Sequence, residues 1–277
     1  MSRIQHILAR ADRDGHARRL RGHDVLASSG GGLLAPVADG AVQRDEPNEG
    51  DALAGVDDLI PLTRLVVGAR LDPRLVTAYS TDSVAIEQYR ALRTRVLQAD
   101  TSWAVRVLLV TSPGGGEGRT LTAANLGLAM AQDHSRHTCL VEADLRKPQL
   151  QRLFGLPDGP GLCDVLSGRA GLTDALVTLE EHQITILPAG QLPSHPAELL
   201  ASSAMRRVVD TLRAQFDRVV MDAPAVAPLA DVGILTPLVD GLLLVVRAGA
   251  TAKPAVRDAI SSLDRSKLLG LVLNESP

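Results

Sequence analysis

Three short stretches of this 277-residue chain carry residues whose types and spacing fit phosphate and cation chemistry. The first is "TSPGGGEGRT", residues 111–120, in which Gly114, Gly115, Gly116 and Gly118 surround Glu117. Small residues let successive backbone N–H groups wrap an anion at a helix N-terminus, where the helix dipole adds to the attraction. Arg119 supplies a cation to such a cradle, Thr120 a hydroxyl for a metal ion, and Leu121 continues the helix it opens. The second stretch is "VEAD", where Glu142 and Asp144 sit two apart and so point to one side of an extended chain. The third is "RVVMDAP", where Asp222 closes an apolar run. Carboxylates at strand ends beside a phosphate cradle predict Mg²⁺ bound on a nucleotide. One letter departs from the usual phosphate loop, which reads Gly-Lys-Thr where this chain has Gly118-Arg119-Thr120. Arginine keeps the charge but is a planar fork, bulkier than an ammonium.

These residues need strands to end together and helices to start beside them. The apolar runs "RVLLVTS", "TCLVEAD", "ITILPAG", "RVVMDAP", "GLLLVVRAG" and "LLGLVLN" read as strands buried on both faces. Helix-like stretches separate most of them: "RTLTAANLGLAMAQ", "PAELLASSAMRRVVDTLRAQF" and "AVRDAISSLD". This alternation predicts one α/β domain over residues 71–277, a doubly wound, mainly parallel sheet with helices on both faces. Before it, "TDSVAIEQYRALRTRVLQAD" places Val84, Tyr89, Leu92 and Val96 at helical intervals, with Ser83 or Asp82 as cap. Residues 1–21 predict a short amphipathic basic helix, with Ile4, Ile7, Leu8 and Ala11 on one side and Arg3, Arg10 and Arg13 elsewhere on the turn. Residues 22–70 are rich in Gly, Ser, Ala and acid without periodicity, and read as a flexible linker.

Composition excludes several classes. A net charge of −3 gives no electrostatic case for nucleic acid, and 2% aromatics removes the stacking platforms of a single-strand binder. Cys139 and Cys163 form no CxxC pair; Cys139 lies in an apolar strand and reads as an inert core thiol. His134 and His137 have no further Cys or His at zinc spacing. No apolar run approaches the ~18 residues of a membrane span, and the N-terminus lacks a secretory apolar region. A cytoplasmic location is therefore expected.

The loop, "VEADLRKP" and "VVMDAP" together resemble the bacterial tyrosine kinases of capsule and exopolysaccharide synthesis. The resemblance continues through "AIEQYRALRTRV", "GLCDVLSG", "LPAGQLPSHPAELLAS", "LVDGLLLVVRAG" and "LLGLVLNES", covering roughly residues 71–275. The opening "MSRIQHILARAD" is similar to the exosortase-associated subgroup of these autokinases. It implies a P-loop fold using ATP and Mg²⁺, with Arg119 in place of the phosphate-reaching lysine and Thr120, Asp144 and Asp222 on the metal. It implies that Glu142 stands where an aspartate deprotonates the incoming tyrosine, and that Asn274 approaches the nucleotide base. Glu87, Arg90 and Arg93 match a pattern that links subunits into rings; without the resemblance they read as a solvated face with ion pairs. It also implies a membrane polysaccharide copolymerase (chain-length determinant) as partner, which would hold the protein peripherally at the inner membrane. Family kinases carry a tyrosine cluster in the tail, whereas the tyrosines here are Tyr79 and Tyr89. Two alternatives stand beside an active kinase. One is a nucleotide switch of the Min/Par type, against which Gly114 stands where a signature lysine belongs. The other is a pseudokinase scaffold, favoured by Arg119 and Glu142.

Overall fold

In a computed structural model of the chain, residues 3–5, 63–79, 83–99, 105–133 and 135–275 are described. The strands are β1 (Arg3–Gln5), β2 (Arg64–Val66), β3 (Val107–Thr111), β4 (Thr138–Glu142), β5 (Val177–Leu179), β6 (Ile184–Leu187), β7 (Arg218–Asp222), β8 (Gly241–Arg247) and β9 (Leu268–Glu275). The helices are α1 (Val76–Tyr79), α2 (Val84–Ala99), α3 (Arg119–Ala131), α4 (Leu150–Leu153), α5 (Leu162–Leu166), α6 (Leu172–Ala175), α7 (Pro196–Leu200), α8 (Ser203–Gln215), α9 (Asp231–Leu235) and α10 (Lys253–Ser262). Among the described residues the sheet order is β1-β9-β8-β3-β7-β4-β6-β5-β2. Its central strands are parallel; β5 runs antiparallel to β6, and β1 antiparallel to β9.

Each central strand is apolar on both sides because each side meets helices. Val107 and Leu109 of β3, with Cys139, Val141, Val219 and Met221, join the core beneath α8, which contributes Met205, Val208, Val209 and Leu212. The alternate residues Leu108, Val110, Leu140 and Val220 join the opposite core, with Leu126, Ala129 and Met130 of α3 and Tyr89, Leu92 and Val96 of α2. Aliphatic side chains fill both layers, as the scarcity of aromatics requires.

The six strands and the domain-wide alternation read from the sequence are all present. Three boundaries differ. The linker expected over 22–70 ends early, since Arg64–Val66 pairs in parallel with Val177–Leu179 and extends the sheet edge. The expected helix over 1–21 is not what Arg3–Gln5 forms: these residues pair as a strand with Leu273–Glu275, and the rest of that segment lies outside the described residues. The long helix expected over 196–216 is two, because Ser202 leaves helical geometry and its hydroxyl accepts from the Met205 N–H, capping α8. Asp82 lies outside the described residues, and Ser83 accepts from the Ile86 N–H as the cap of α2.

Helix α2 lies on α3 through Tyr89, which is 5% exposed. Burial pushes its phenol up to about 12, partly offset by hydrogen bonding to Thr122 and Asn125. Raising an acid's pKa in the folded state makes stability full below the unfolded value near 10 and lost as pH rises through 12. Tyr89→Phe should therefore remove a slope of ~1.4 kcal/mol per pH unit from the alkaline limb of the stability curve. Chemical denaturation of both proteins between pH 8 and 12 checks this; parallel curves would contradict it.

Candidate active site

The site forms where β3, β4 and β7 end. Pairing brings Glu142 of β4 opposite Asp222 of β7, and Val110 of β3 opposite the same Asp222. By strand parity both acids face the α3 side of the sheet, directly beneath the loop that leaves β3. That loop, residues 112–118, turns into α3 with Gly116 at φ 81° and Gly118 at φ 84°. Both lie in the left-handed region that side chains resist, which is the backbone requirement behind the glycine run. A Cβ on Gly118 would also stand 2.0 Å from Nδ2 of Asn274.

Glu142, Asp144 and Asp222 are all buried. Arg119 opens α3 and donates from Nη2 to Oδ2 of Asp144, while its Nε lies 3.9 Å from Oδ1 of Asp222. Asp144 also accepts from the N–H groups of Arg146 (3.2 Å) and Lys147 (3.0 Å). One guanidinium is thus set against three buried carboxyls, short of what buried anions need. The shortfall appears in their protonation. Burial, with Asp144 nearby, pushes Asp222 up to about 7 against the opposing pull of Arg119 and the Thr120 hydroxyl. Burial and the Asp222 charge raise Glu142 well above the usual carboxylate range, offset in part by backbone N–H groups. Neither oxygen of Asp222, nor Nε of Arg119, has a hydrogen bond of ordinary geometry.

A buried carboxylate with both oxygens unpartnered, a hydroxyl beside it and a glycine cradle above fit a nucleotide-bound divalent cation. The cradle opens into a cleft of about 400 Å³ lined by Gly115 to Leu121, Arg74, Lys147 and Gln149. Arg74, Lys147 and Gln149 were not among the residues read from the sequence. Lys147 follows the "VEADLR" acids directly, the one signal that could have marked it. Arg74 precedes α1 in a stretch without a motif, and pairs with Asp72 through Nε (2.9 Å) and Nη2 (2.7 Å).

Other expected residues take different places. Glu142 reaches the site, but both its oxygens hold backbone. Oε1 accepts from the Asp144 N–H (3.3 Å), and Oε2 from those of Gln149 (2.7 Å) and Leu150 (2.9 Å). Asn274 donates to the carbonyl of Glu117 (3.0 Å), so it ties the phosphate loop to the end of β9. Glu117 itself turns inward, its Oε1 accepting from the Thr251 hydroxyl (2.9 Å). On α2, Glu87 and Arg90 form an exposed pair (2.6 Å), whereas Arg93 donates to the Ala129 carbonyl at the end of α3 (2.7 Å). Arg146 clamps the buried Asp231 through Nε (2.7 Å) and Nη2 (3.1 Å). Cys139 and Cys163 are free and buried. His134 lies outside the described residues, and among the described residues no His, Cys, Asp and Glu cluster suits a metal held by protein alone. No described helix is long and apolar enough to cross a membrane.

A glycine cradle at the switch between parallel strands, with acids ending the neighbouring strands, defines a P-loop nucleotide-binding protein of the doubly wound class. No family model matches the chain. It is 34% identical over 209 residues to the tyrosine-protein kinase YwqD of Bacillus subtilis (strain 168), covering 75% of this chain and 88% of YwqD. It is 36% identical over 230 residues to the succinoglycan biosynthesis transport protein ExoP of Rhizobium meliloti (strain 1021), covering 80% of this chain but 28% of ExoP. Among solved structures, the kinase domain of the Escherichia coli tyrosine kinase ETK matches with a TM-score of 0.69 at 25% identity, over 73% of this chain and 79% of that one. The chain belongs to the family of bacterial tyrosine kinases.

Gly118→Ala should cost about 1–2 kcal/mol for the left-handed backbone alone, before the displacement of Asn274 is added. Thermal denaturation and nucleotide titration check it together: stability and nucleotide affinity should both fall. Unchanged affinity would detach Gly118 from the binding loop.

Proposed function

We propose that this protein transfers the terminal phosphoryl group of Mg·ATP to protein tyrosine hydroxyls, as part of exopolysaccharide or capsule synthesis and export. The observation that carries this reading is Asp222, buried with both oxygens unpartnered beneath the phosphate loop, in a member of the bacterial tyrosine-kinase family. Loop amides from Gly114 to Gly118 and the Arg119 guanidinium bind and orient the phosphates. Thr120, Asp144 and Asp222 are the residues that would hold Mg²⁺, which would supply charge neutralisation for the transferred group. Leu121 and Asn274 keep the loop on its helix and strand. Glu142 is assigned as a positioning residue. Its oxygens fix the turn that carries Asp144 and Lys147 by accepting the backbone N–H groups of Asp144, Gln149 and Leu150.

ExoP, a biosynthesis transport protein of which this chain covers a small part, supports a membrane polysaccharide copolymerase as partner. Such a partner would hold the protein at the cytoplasmic side of the inner membrane. A homo-oligomeric contact fits the exposed Glu87–Arg90 pair of α2; Arg93 contributes by seating α2 on α3. The commitment of Arg119 to Asp144 favours a second reading, a nucleotide-binding scaffold that does not phosphorylate tyrosine.

Of the two tyrosines, Tyr79 is 57% exposed, while Tyr89 is buried in the α2–α3 contact and cannot enter a neighbour's active site. Incubation of the purified chain with Mg·ATP and a random Glu/Tyr polypeptide, followed by phosphopeptide mapping, should find phosphotyrosine on the polypeptide and, within the chain, on Tyr79 alone. Asp222→Asn should lower the rate roughly 100-fold or more. Tyr79→Phe should end self-labelling and leave labelling of the polypeptide intact. Nucleotide binding without any phosphotyrosine would replace the kinase by the scaffold.

A further inference from the structure

We propose that Arg119 is a built-in counter-ion that closes the divalent-cation position, so that the cation enters only together with nucleotide. The proposal rests on the assignment of Asp144 and Asp222 as the metal carboxylates, and is independent of whether phosphoryl transfer follows.

The geometry is that of a guanidinium standing between the two acids. Nη2 is bonded to Asp144 and Nε faces Asp222 at 3.9 Å. The Arg119 side chain is 13% exposed, and its partners are almost wholly buried. A cation reaching those oxygens from solvent would meet a fixed positive charge in a medium where charges are poorly screened. A lysine at this position would offer a compact ammonium, a point charge lacking the spread of donors that lets one guanidinium face two carboxylates. The Arg-for-Lys difference in the loop therefore changes how the cation position is gated, while the positive charge is retained.

The closure is also built to open. Nε has no hydrogen-bond partner, and neither does either oxygen of Asp222, so the guanidinium is held by one bond and one longer attraction. Phosphates seated on the loop offer it several anionic acceptors at once. When Arg119 leaves the acids for those oxygens, the carboxyl groups of Asp144 and Asp222 are left facing the cleft without a counter-ion, open to a cation. Lys147 and Arg74 line the same cleft, but among the described residues no ion pair joins either to Asp144 or Asp222, and Arg74 is engaged with Asp72. Because the coupling is reciprocal, nucleotide must raise metal affinity and metal must raise nucleotide affinity by the same factor.

The test is Mn²⁺ uptake by the purified full chain, read from the loss of the free-ion electron paramagnetic resonance signal, with and without ADP. Wild type should take up Mn²⁺ only when ADP is present. Arg119→Gln should take it up without nucleotide, with an affinity at least about tenfold tighter than wild type. Arg119→Lys should fall between the two and supplies a second variant if the glutamine protein folds poorly. Mn²⁺ alone should raise the melting temperature of Arg119→Gln and not that of wild type. Adding Asp222→Asn to Arg119→Gln should abolish the gain. Nucleotide-free wild type binding Mn²⁺ as tightly as Arg119→Gln would overturn the proposal, as would uptake by the double variant.

Discussion

The site depends on one constraint, the burial of three carboxyl groups at the ends of two adjacent parallel strands with a single guanidinium to balance them. Pairing of Glu142 with Asp222 across β4 and β7 is set by a backbone ladder that runs from Thr138–Arg218 up to the Ala143 N–H on the Asp222 carbonyl (2.8 Å), and so are the acids' positions. Burying like charges this closely is unfavourable, and the protein offsets it in three ways. Glu142 accepts three backbone N–H groups, Asp144 takes two more together with Arg119, and Asp222 holds a proton to higher pH than an exposed aspartate would. What remains uncompensated is concentrated on Asp222, whose two oxygens lack hydrogen-bond partners.

Around that core the loop is held from several sides. Asn274 of β9 bonds the Glu117 carbonyl and fills the space that Gly118 leaves open. Thr251, itself an acceptor for the Arg247 N–H, holds the Glu117 side chain. Two elements distant in sequence thus fix the cradle's shape before any ligand arrives, so little ordering cost falls on binding. The same logic explains Glu142, whose carboxylate anchors the turn into α4 and with it the position of Asp144.

Much of the fold was legible because the strands are long apolar runs and the helices between them have clear periodicity. Of the four residues whose spacing marks a helix face, Tyr89, Leu92 and Val96 are buried, whereas Val84 in the first turn of α2 is 70% exposed. The edge was not legible. Val177–Leu179 and Arg64–Val66 are three-residue strands whose apolar content is too short to show a period, and their pairing joins segments over 100 residues apart. Nor was the break between α7 and α8, because Ser202 reads equally well as a helix surface residue until its hydroxyl is seen to cap. At the site, the glycines, Arg119, Thr120, Asp144 and Asp222 came from motif and spacing. Arg74, Lys147 and Gln149 came from tertiary approach.

By itself the sequence determined which chemical groups would stand at the strand ends, since strand parity and the glycine run leave little choice of side. It also determined that a cation at position 119 would meet phosphates or acids. Only the tertiary structure decided between these, placing the guanidinium between Asp144 and Asp222, turning both oxygens of Glu142 to backbone amides, and burying Tyr89 while leaving Tyr79 half-exposed with its hydroxyl on the Leu71 carbonyl. The reason is that a residue's type fixes what it can bond. Its partners here are backbone groups and buried charges brought close by the packing of strands and helices far apart in the chain.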